Sequence, residues 1–396
     1  MAIEPLKITS YTVTNALGAG NSASLSSLQQ QRTGLIENNF ESCDLQTYIG
    51  RVADLESVQL PEELSTFQCR NNQLAYLGLQ QDNFSDQVLA AREKYGADRI
   101  AVFLGTSTTG IQQTEWAFSQ IDENNKLPDN YFYATTQNSF SVADFVQQYF
   151  KLNGVAHVVS TACSSSAKVF ASAYRHMHAG FCDAAIVGGV DSLCLSTLYG
   201  FNSLQLISEK KCMPWDANRT GINIGEAAGF ALLERSQQTN DEILLLGYGE
   251  SSDAYHMSTP HPEGRGAQQA MLAALDSSDL KVIDVDYINL HGTATRSNDS
   301  AEDKAVVSVF GRQTPVSSTK GFTGHTLGAA GITEAVFGCM AIENNFIPVN
   351  LNTTEIDPEA QCNIVKDATN CSVNNFLTNS FGFGGSNCSL LMGKGC

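Results

Sequence analysis

Five residues of chemically useful type stand out along this 396-residue chain: Cys163, His291, Lys320, His325 and Glu334. Cys163 lies in "VVSTACSSSAKVFASAYRHMHAG", residues 158–180. There Val158 and Val159 suit a strand, and Lys168, Val169, Ala171, Ala173 and Tyr174 suit a helix with one apolar side. Ser160 and Thr161 are types that cap helices, which predicts Cys163 in the first helical turn. A sulfur in that turn faces unpaired N–H groups and the positive end of the helix dipole, which favour thiolate over thiol. Cys163 therefore reads as a nucleophile, although an arbitrary free cysteine is more often a small buried apolar group.

The histidines occur in "INLHGTATRSND" and "SSTKGFTGHTLGAAGITEAVFGCMAIENN". Each follows an extended segment and is flanked by Gly and Thr, which let a ligand approach the backbone and supply hydroxyls. Both are expected in loops rather than in the core. The helix after His325 is small and apolar on most sides, as for one buried deep in the molecule. Lys320 and Glu334 stand out in that setting, because a buried charge is costly unless paired; they are expected to pair with each other. The glycine-rich piece "TNSFGFGGSN", residues 378–387, is expected to present backbone N–H groups to an oxyanion and to place Phe381 and Phe383 as an apolar gate. A thiolate, two histidines, a Lys/Glu pair and a flexible glycine loop suit carbon–carbon bond formation on thioesters. The thiolate accepts an acyl group and the histidines stabilise an enolate oxygen after CO2 leaves a malonyl donor.

These residues must be positioned by a large fold, since 42% hydrophobic content in a chain of this length supports an extensive core. Strand-like runs such as "RIAVFLGTSTTG", "DAAIVGGVDS", "EILLLGYGESSD" and "VDYINLHGTAT" alternate with helical stretches such as "GAQQAMLAALDSS" and "AEDKAVVSVF", a mixed α/β pattern. A break near "RSQQTND" divides the chain into residues 1–236, with the cysteine, and 237–396, with both histidines. A joint site must then lie at the seam. Residues 112–138 read as an irregular surface excursion.

Lys and Arg total 23 against 41 Asp and Glu, a net charge of −18 that argues against nucleic acid or an anionic membrane as partner. The eleven cysteines include no CxxC pair, so neither a disulfide framework nor a metal site is expected. With no membrane-length apolar run and no signal-peptide pattern in "MAIEPLKITSYTVTNALGAG", a cytoplasmic location is expected.

Six segments together resemble the β-ketoacyl-acyl-carrier-protein synthases of the type I/II condensing class: "TACSSS" around Cys163, "PWDANRTGINIGEAAG" from Pro214, "DAYHMS" from Asp253, "HGTATRSND" from His291, "SSTKGFTGHTLGAAG" from Ser317 and "NSFGFGGSN" from Asn379. The resemblance implies a thiolase-like fold, two pseudo-duplicated halves in an α-β-α-β-α layering. It implies that Cys163 takes an acyl chain from acyl carrier protein and that His291 and His325 assist malonyl decarboxylation. It further assigns the oxyanion hole to the N–H groups of Cys163 and Phe383, pantetheine contacts to Thr293 and Thr295, and local electrostatics to Lys320 held by Glu334. It also implies that no cofactor is bound permanently and that a phosphopantetheine arm arrives on the carrier protein. The second histidine separates the chain from Cys-His-Asn type III synthases, and Cys388 lacks the glycine-flanked setting of a second thiolase cysteine. A cysteine hydrolase leaves that histidine and Lys320 unexplained, and the presence of Cys163, His291 and His325 together makes a non-catalytic chain-length-factor subunit the lesser alternative.

Two departures from the family pattern matter. Thr220, Gly221 and Ile222 replace the usual aspartate and phenylalanine, and the loop Thr106, Ser107, Thr108, Thr109 brings hydroxyls where a bulky aliphatic is usual. Thr108 is thereby expected to contact substrate in a more polar tail pocket. The docking patch reduces to Arg70, Lys126, Lys210 and Lys211, thin for an acidic carrier protein. The polar pocket and the thin docking patch suggest a specialised type II polyketide system of aryl-polyene type, as a homodimer or paired with a homologous chain-length factor, with general fatty-acid elongation as the alternative.

Overall fold

The computed structural model describes residues 2–236 and 242–395. The expected division at 236/237 abuts residues 237–241, which lie outside the described residues. Ten strands carry the architecture. The first five are β1 (Leu6–Asn15), β2 (Ile100–Gly105), β3 (Ala156–Val159), β4 (Ala184–Asp191) and β5 (Ala227–Arg235). The second five are β6 (Ile243–Ser252), β7 (Tyr287–Asn289), β8 (Pro315–Ser317), β9 (Asn375–Gly382) and β10 (Ser386–Lys394).

In space the first set runs β1-β5-β4-β2-β3 and the second β6-β10-β9-β7-β8. The two orders are the same when each set is counted from its own first strand. Directions repeat as well. β1/β5 and β5/β4 are antiparallel and β4/β2 and β2/β3 parallel, while β6/β10 and β10/β9 are antiparallel and β9/β7 and β7/β8 parallel. The expected duplication is thus visible in topology. The halves join edge to edge where Leu6 and Lys7 of β1 pair with Leu245 and Leu244 of β6.

Strands β2 and β4 are buried at every position, so both faces of the sheet must be covered. Helices α1 (Arg70–Leu79), α2 (Phe84–Tyr95) and α3 (Ser141–Phe150) pack over the outer face of the first half around Leu74, Val88 and Phe145. The middle layer is formed by α4 (Ser165–His178) and, later in the chain, the helix Ala330–Asn344; residues of both share one core with Phe103, Val187, Tyr287 and Phe376. Between these in sequence lie α5 (Leu195–Ser203), α6 (Arg265–Asp276) and α7 (Arg296–Phe310), the last two covering the second half's outer face; Ala330–Asn344 is therefore α8. As its composition predicts, α8 is buried continuously from Ala330 to Ile342. Residues 112–138 differ from the expected irregular excursion, since Ile111–Ser119 form a helix.

The two central helices touch through small residues: a Cβ on Gly331 would lie 2.6 Å from the Ala167 backbone nitrogen, and Ser166 Oγ accepts from the Ile332 amide at 3.0 Å. Because Cys163 precedes one helix and His325 the other, this contact sets their separation. Gly331→Val should force the helices apart, costing about 1 to 3 kcal/mol of stability by overpacking; a thermal melt superimposable on the parent's would show that the contact is loose.

Candidate active site

Cys163 lies in the turn between β3 and α4, and His325 lies at the equivalent place in the second half, between β8 and α8. The same connection, used twice, brings nucleophile and imidazole together at the seam. Cys163 sits two residues before α4 rather than in its first turn, and neither Ser160 nor Thr161 caps the helix. The turn holds itself together instead: Thr161 N donates to Ser165 Oγ at 2.9 Å and Ser164 Oγ donates to Thr161 O at 2.9 Å. Ala162, just before the cysteine, is held at φ 53°, a left-handed conformation that costs a non-glycine residue energy.

His325 is clamped by the segment that follows "PWDANR": its amide donates to Asn223 O at 2.7 Å and its carbonyl accepts from Gly225 N at 3.0 Å. Its Nε2 lies 3.0 Å from Cys163 Sγ, and the Leu327 amide donates to its Nδ1 at 3.3 Å. With Nδ1 an acceptor, the proton of the neutral ring belongs on Nε2, facing the sulfur. His291 follows β7, its ring 5.3 Å from that of His325 at 82°. Lys320 Nζ stands 3.5 Å from His291 Nδ1 and also donates to the His291 carbonyl and, at 2.5 Å, to Glu334 Oε1. An ammonium is only a donor, so His291 too carries its proton on Nε2. The expected Lys320/Glu334 pair is present, and both residues are buried.

Burial, reinforced by the Lys320 charge, holds both imidazoles well below the ordinary histidine range; for His291 the facing His325 adds to this. Both are therefore neutral at physiological pH. Burial also pushes the Cys163 thiol up to about 11, against the pull of Lys320 and of the Phe383 N–H. The sequence predicted the reverse, a thiolate at rest; desolvation outweighs the helix end here. Burial likewise pushes the Glu334 carboxyl up to about 7, with Lys320 opposing.

The sulfur and a nitrogen of each ring lie within 4.8 Å of one another, a set that resembles a metal triad. The protonation pattern does not suit one. Each Nδ1 already accepts a hydrogen bond, so presenting Nε2 as a ligand would turn an N–H against the Leu327 amide or the Lys320 ammonium.

Two cavities meet at Cys163. One is lined by His291, His325, Thr293, Thr295, Phe381 and His256, the other by Thr108, Ala162, Gly200, Leu204 and Leu327. Phe201 and Phe383, with ring centroids 5.5 Å apart, line both and stand between them. Thr293 and Thr295 share a hydroxyl hydrogen bond of 2.9 Å, and Thr295 also caps α7. The piece carrying Phe381 and Phe383 is less of a loop than expected: Phe381 is in β9, and only Phe383–Gly385 form the turn into β10.

Two expectations are corrected. The hydroxyls of Thr106, Ser107 and Thr108 do not make the tail cavity polar, because all three donate to the buried carboxylate of Asp191, while Thr109 donates to Gln137 O. What faces the cavity is largely Phe201, Leu204, Leu327 and Phe383. Arg70 is not a docking residue: it is 4% exposed and paired with Glu226 and Glu56. Lys126 and Lys210 are exposed, the former bonded to Asp129 at 2.6 Å, and Lys211 lies 5.5 Å over the Tyr48 ring. Of the residues lining or bracing the site, the sequence reading missed Phe201 and Asp191; an acid ending the apolar run "AAIVGGVD" was the available signal for the second.

Glu334→Gln leaves Lys320 as an uncompensated buried charge and should destabilise the protein by about 3 to 5 kcal/mol in denaturant unfolding. A variant as stable as the parent would show the pair to be solvated.

Comparison with known proteins agrees with this geometry. The family profile described as "Beta-ketoacyl synthase, N-terminal domain" matches residues 54–239, and that described as "Beta-ketoacyl synthase, C-terminal domain" matches residues 243–354. A 3-oxoacyl-[acyl-carrier-protein] synthase 2 of Staphylococcus aureus (strain COL) is 30% identical over 364 residues, covering 85% of this chain and 88% of that protein. One of the same name from Rhizobium meliloti (strain 1021) is 38% identical over 259 residues, 61% of each. Among solved structures, the ketosynthase ApeO in complex with its chain length factor ApeC from Xenorhabdus doucetiae superposes with a TM-score of 0.90 at 35% identity, over 99% of this chain and 98% of that one. The ishigamide ketosynthase/chain length factor, at 24% identity and a TM-score of 0.88 over 99% of this chain and 100% of that one, shares the thiolase-like fold.

Proposed function

This chain belongs to the β-ketoacyl synthase family, an acyl-transferring condensing enzyme, and from that premise we propose a decarboxylative Claisen condensation between a Cys163-bound acyl chain and malonyl-acyl-carrier protein. One observation supports it above the others: a ring nitrogen of His291, a ring nitrogen of His325 and the Cys163 sulfur lie within 4.8 Å of one another, while a donor faces each Nδ1 and so leaves an Nε2–H on each ring.

In the first half-reaction Cys163 Sγ attacks the acyl thioester, the bond to the pantetheine sulfur breaks, and the thiol proton leaves with the carrier. The phosphopantetheine arm enters along Thr293 and Thr295, while the acyl tail passes Phe201 and Phe383 into the apolar cavity. In the second, the malonyl C–C bond breaks, CO2 departs, and its electron pair forms an enolate whose oxygen accepts from His291 and His325. The enolate carbon then attacks the Cys163 thioester. The resulting oxyanion is held by the amides of Cys163 and Phe383; its collapse breaks the C–S bond and releases the β-ketoacyl-carrier protein, and the expelled Cys163 thiolate takes a proton from solvent to restore the thiol. Two uncharged donors suit this work: burial strengthens each hydrogen bond, and neither must lose a proton during the step.

We assign the enzyme to a specialised type II polyketide system of aryl-polyene type, with a homologous chain-length-factor subunit as partner. The likeness to a ketosynthase in complex with such a factor supports this. Fatty-acid elongation is the second reading, favoured by the apolar tail cavity and the Staphylococcus aureus relative. Carrier docking at Lys126, Lys210 and Lys211 belongs to either. Intact-mass analysis of the purified protein distinguishes them: a copurifying homologous subunit supports the first, and a homodimer that prefers saturated acyl chains supports the second.

Cys163→Ala should abolish acyl loading with the fold intact. His325→Ala should still load Cys163 but release little CO2 from malonyl-carrier protein, a loss of about a hundredfold or more. Decarboxylation that survives while loading fails would reverse the roles.

A further inference from the structure

Asp191 ends β4, is fully buried, and has no part in the steps above. Its two oxygens gather six donors. Oδ1 accepts from the Thr106 hydroxyl (2.9 Å), the Ser107 amide (2.7 Å), and the amide and hydroxyl of Thr108 (2.8 and 2.9 Å). Oδ2 accepts from the Ser107 hydroxyl and the Gly328 amide, each at 2.5 Å. A carboxylate removed from water needs such a set to remain charged.

Five of the donors come from the loop beside the tail cavity, in the first half of the chain. The sixth comes from the second half, from the residue after Leu327, whose own amide fixes the His325 tautomer. Leu327 is itself held at φ 54°, a conformation that needs support from its neighbours. The clamp leaves no room at its centre: a Cβ on Gly328 would lie 2.7 Å from Asp191 Oδ2 and 3.1 Å from the Ser107 amide nitrogen.

We propose that Asp191 is a positioning residue for decarboxylation, tying the tail-cavity loop to the turn that keeps the His325 Nε2 proton facing Cys163. Without the Leu327 amide at Nδ1, the two neutral tautomers of His325 become similar in energy, and those with a lone pair at Nε2 cannot donate to the enolate. Acyl transfer to Cys163 depends on the sulfur and the oxyanion amides; the Asp191 charge adds to the burial that holds the thiol up, so its removal does not slow loading, and Gly328→Ala keeps that charge in place. The inference rests on the role given to His325 above.

The test uses the full-length protein, its Asp191→Asn variant, and a Gly328→Ala variant that wedges the clamp open while keeping the carboxylate. Acyl loading of Cys163 is read by intact mass and CO2 release from malonyl-carrier protein is read separately. CO2 release should fall about tenfold to a hundredfold in both variants, with loading changed by less than about threefold. Loading and CO2 release falling in parallel would make Asp191 a scaffold residue and overturn the proposal, as would variants that match the parent. If Asp191→Asn does not fold, the Gly328→Ala partition decides alone. A parent that loads acyl groups but releases no CO2 would instead overturn the role of His325, and this inference with it.

Discussion

The buried ammonium of Lys320 is the group on which the arrangement depends. It is held by Glu334 and the His291 carbonyl, and it faces His291 Nδ1. From that position it fixes the His291 tautomer, adds to burial in keeping both imidazoles neutral, and draws the Cys163 thiol toward the anion. One charge thus serves opposite ends: it favours an anion at sulfur and disfavours a cation at either ring. Glu334 makes it tolerable in the interior, since an unpaired ammonium there would destabilise the fold.

The fold explains why these groups meet. Each half repeats one strand order, and the same connection, from third strand to central helix, carries Cys163 in the first half and His325 in the second. Packing α4 against α8 through Gly331 and Ala167 then brings the two turns to hydrogen-bonding distance. His291 comes from the end of β7, the counterpart of β2, whose own following loop carries Thr106, Ser107 and Thr108. The halves supply equivalent loops with different chemistry: one presents an imidazole, and the other folds its hydroxyls inward around Asp191.

Much of this was legible in the sequence. Apolar runs followed by small residues located β2, β4, β6 and β7, and the small apolar run after His325 announced a fully buried helix. Cys163, His291, His325, Lys320 and Glu334 do converge, because charges placed in an apolar setting must find partners there and the small residues around them leave room for a substrate. Three things were not legible. The protonation state of Cys163 depends on desolvation, which a local helix-end argument does not contain. The direction of the Thr106–Thr108 hydroxyls depends on Asp191, more than eighty residues away. Arg70 looked like surface charge because its partner Glu226 is likewise distant, at a separation of 156 residues.

The central claim is that both active-site imidazoles are neutral and protonated on Nε2. Ring nitrogen spectra of the protein labelled with 15N-histidine, followed from pH 5 to 9, test it most directly. The account predicts that two of the seven histidines hold the neutral Nε2–H pattern across the whole range. A site whose His291 or His325 titrates near the ordinary value of about 6.5, or carries its proton on Nδ1, would contradict it.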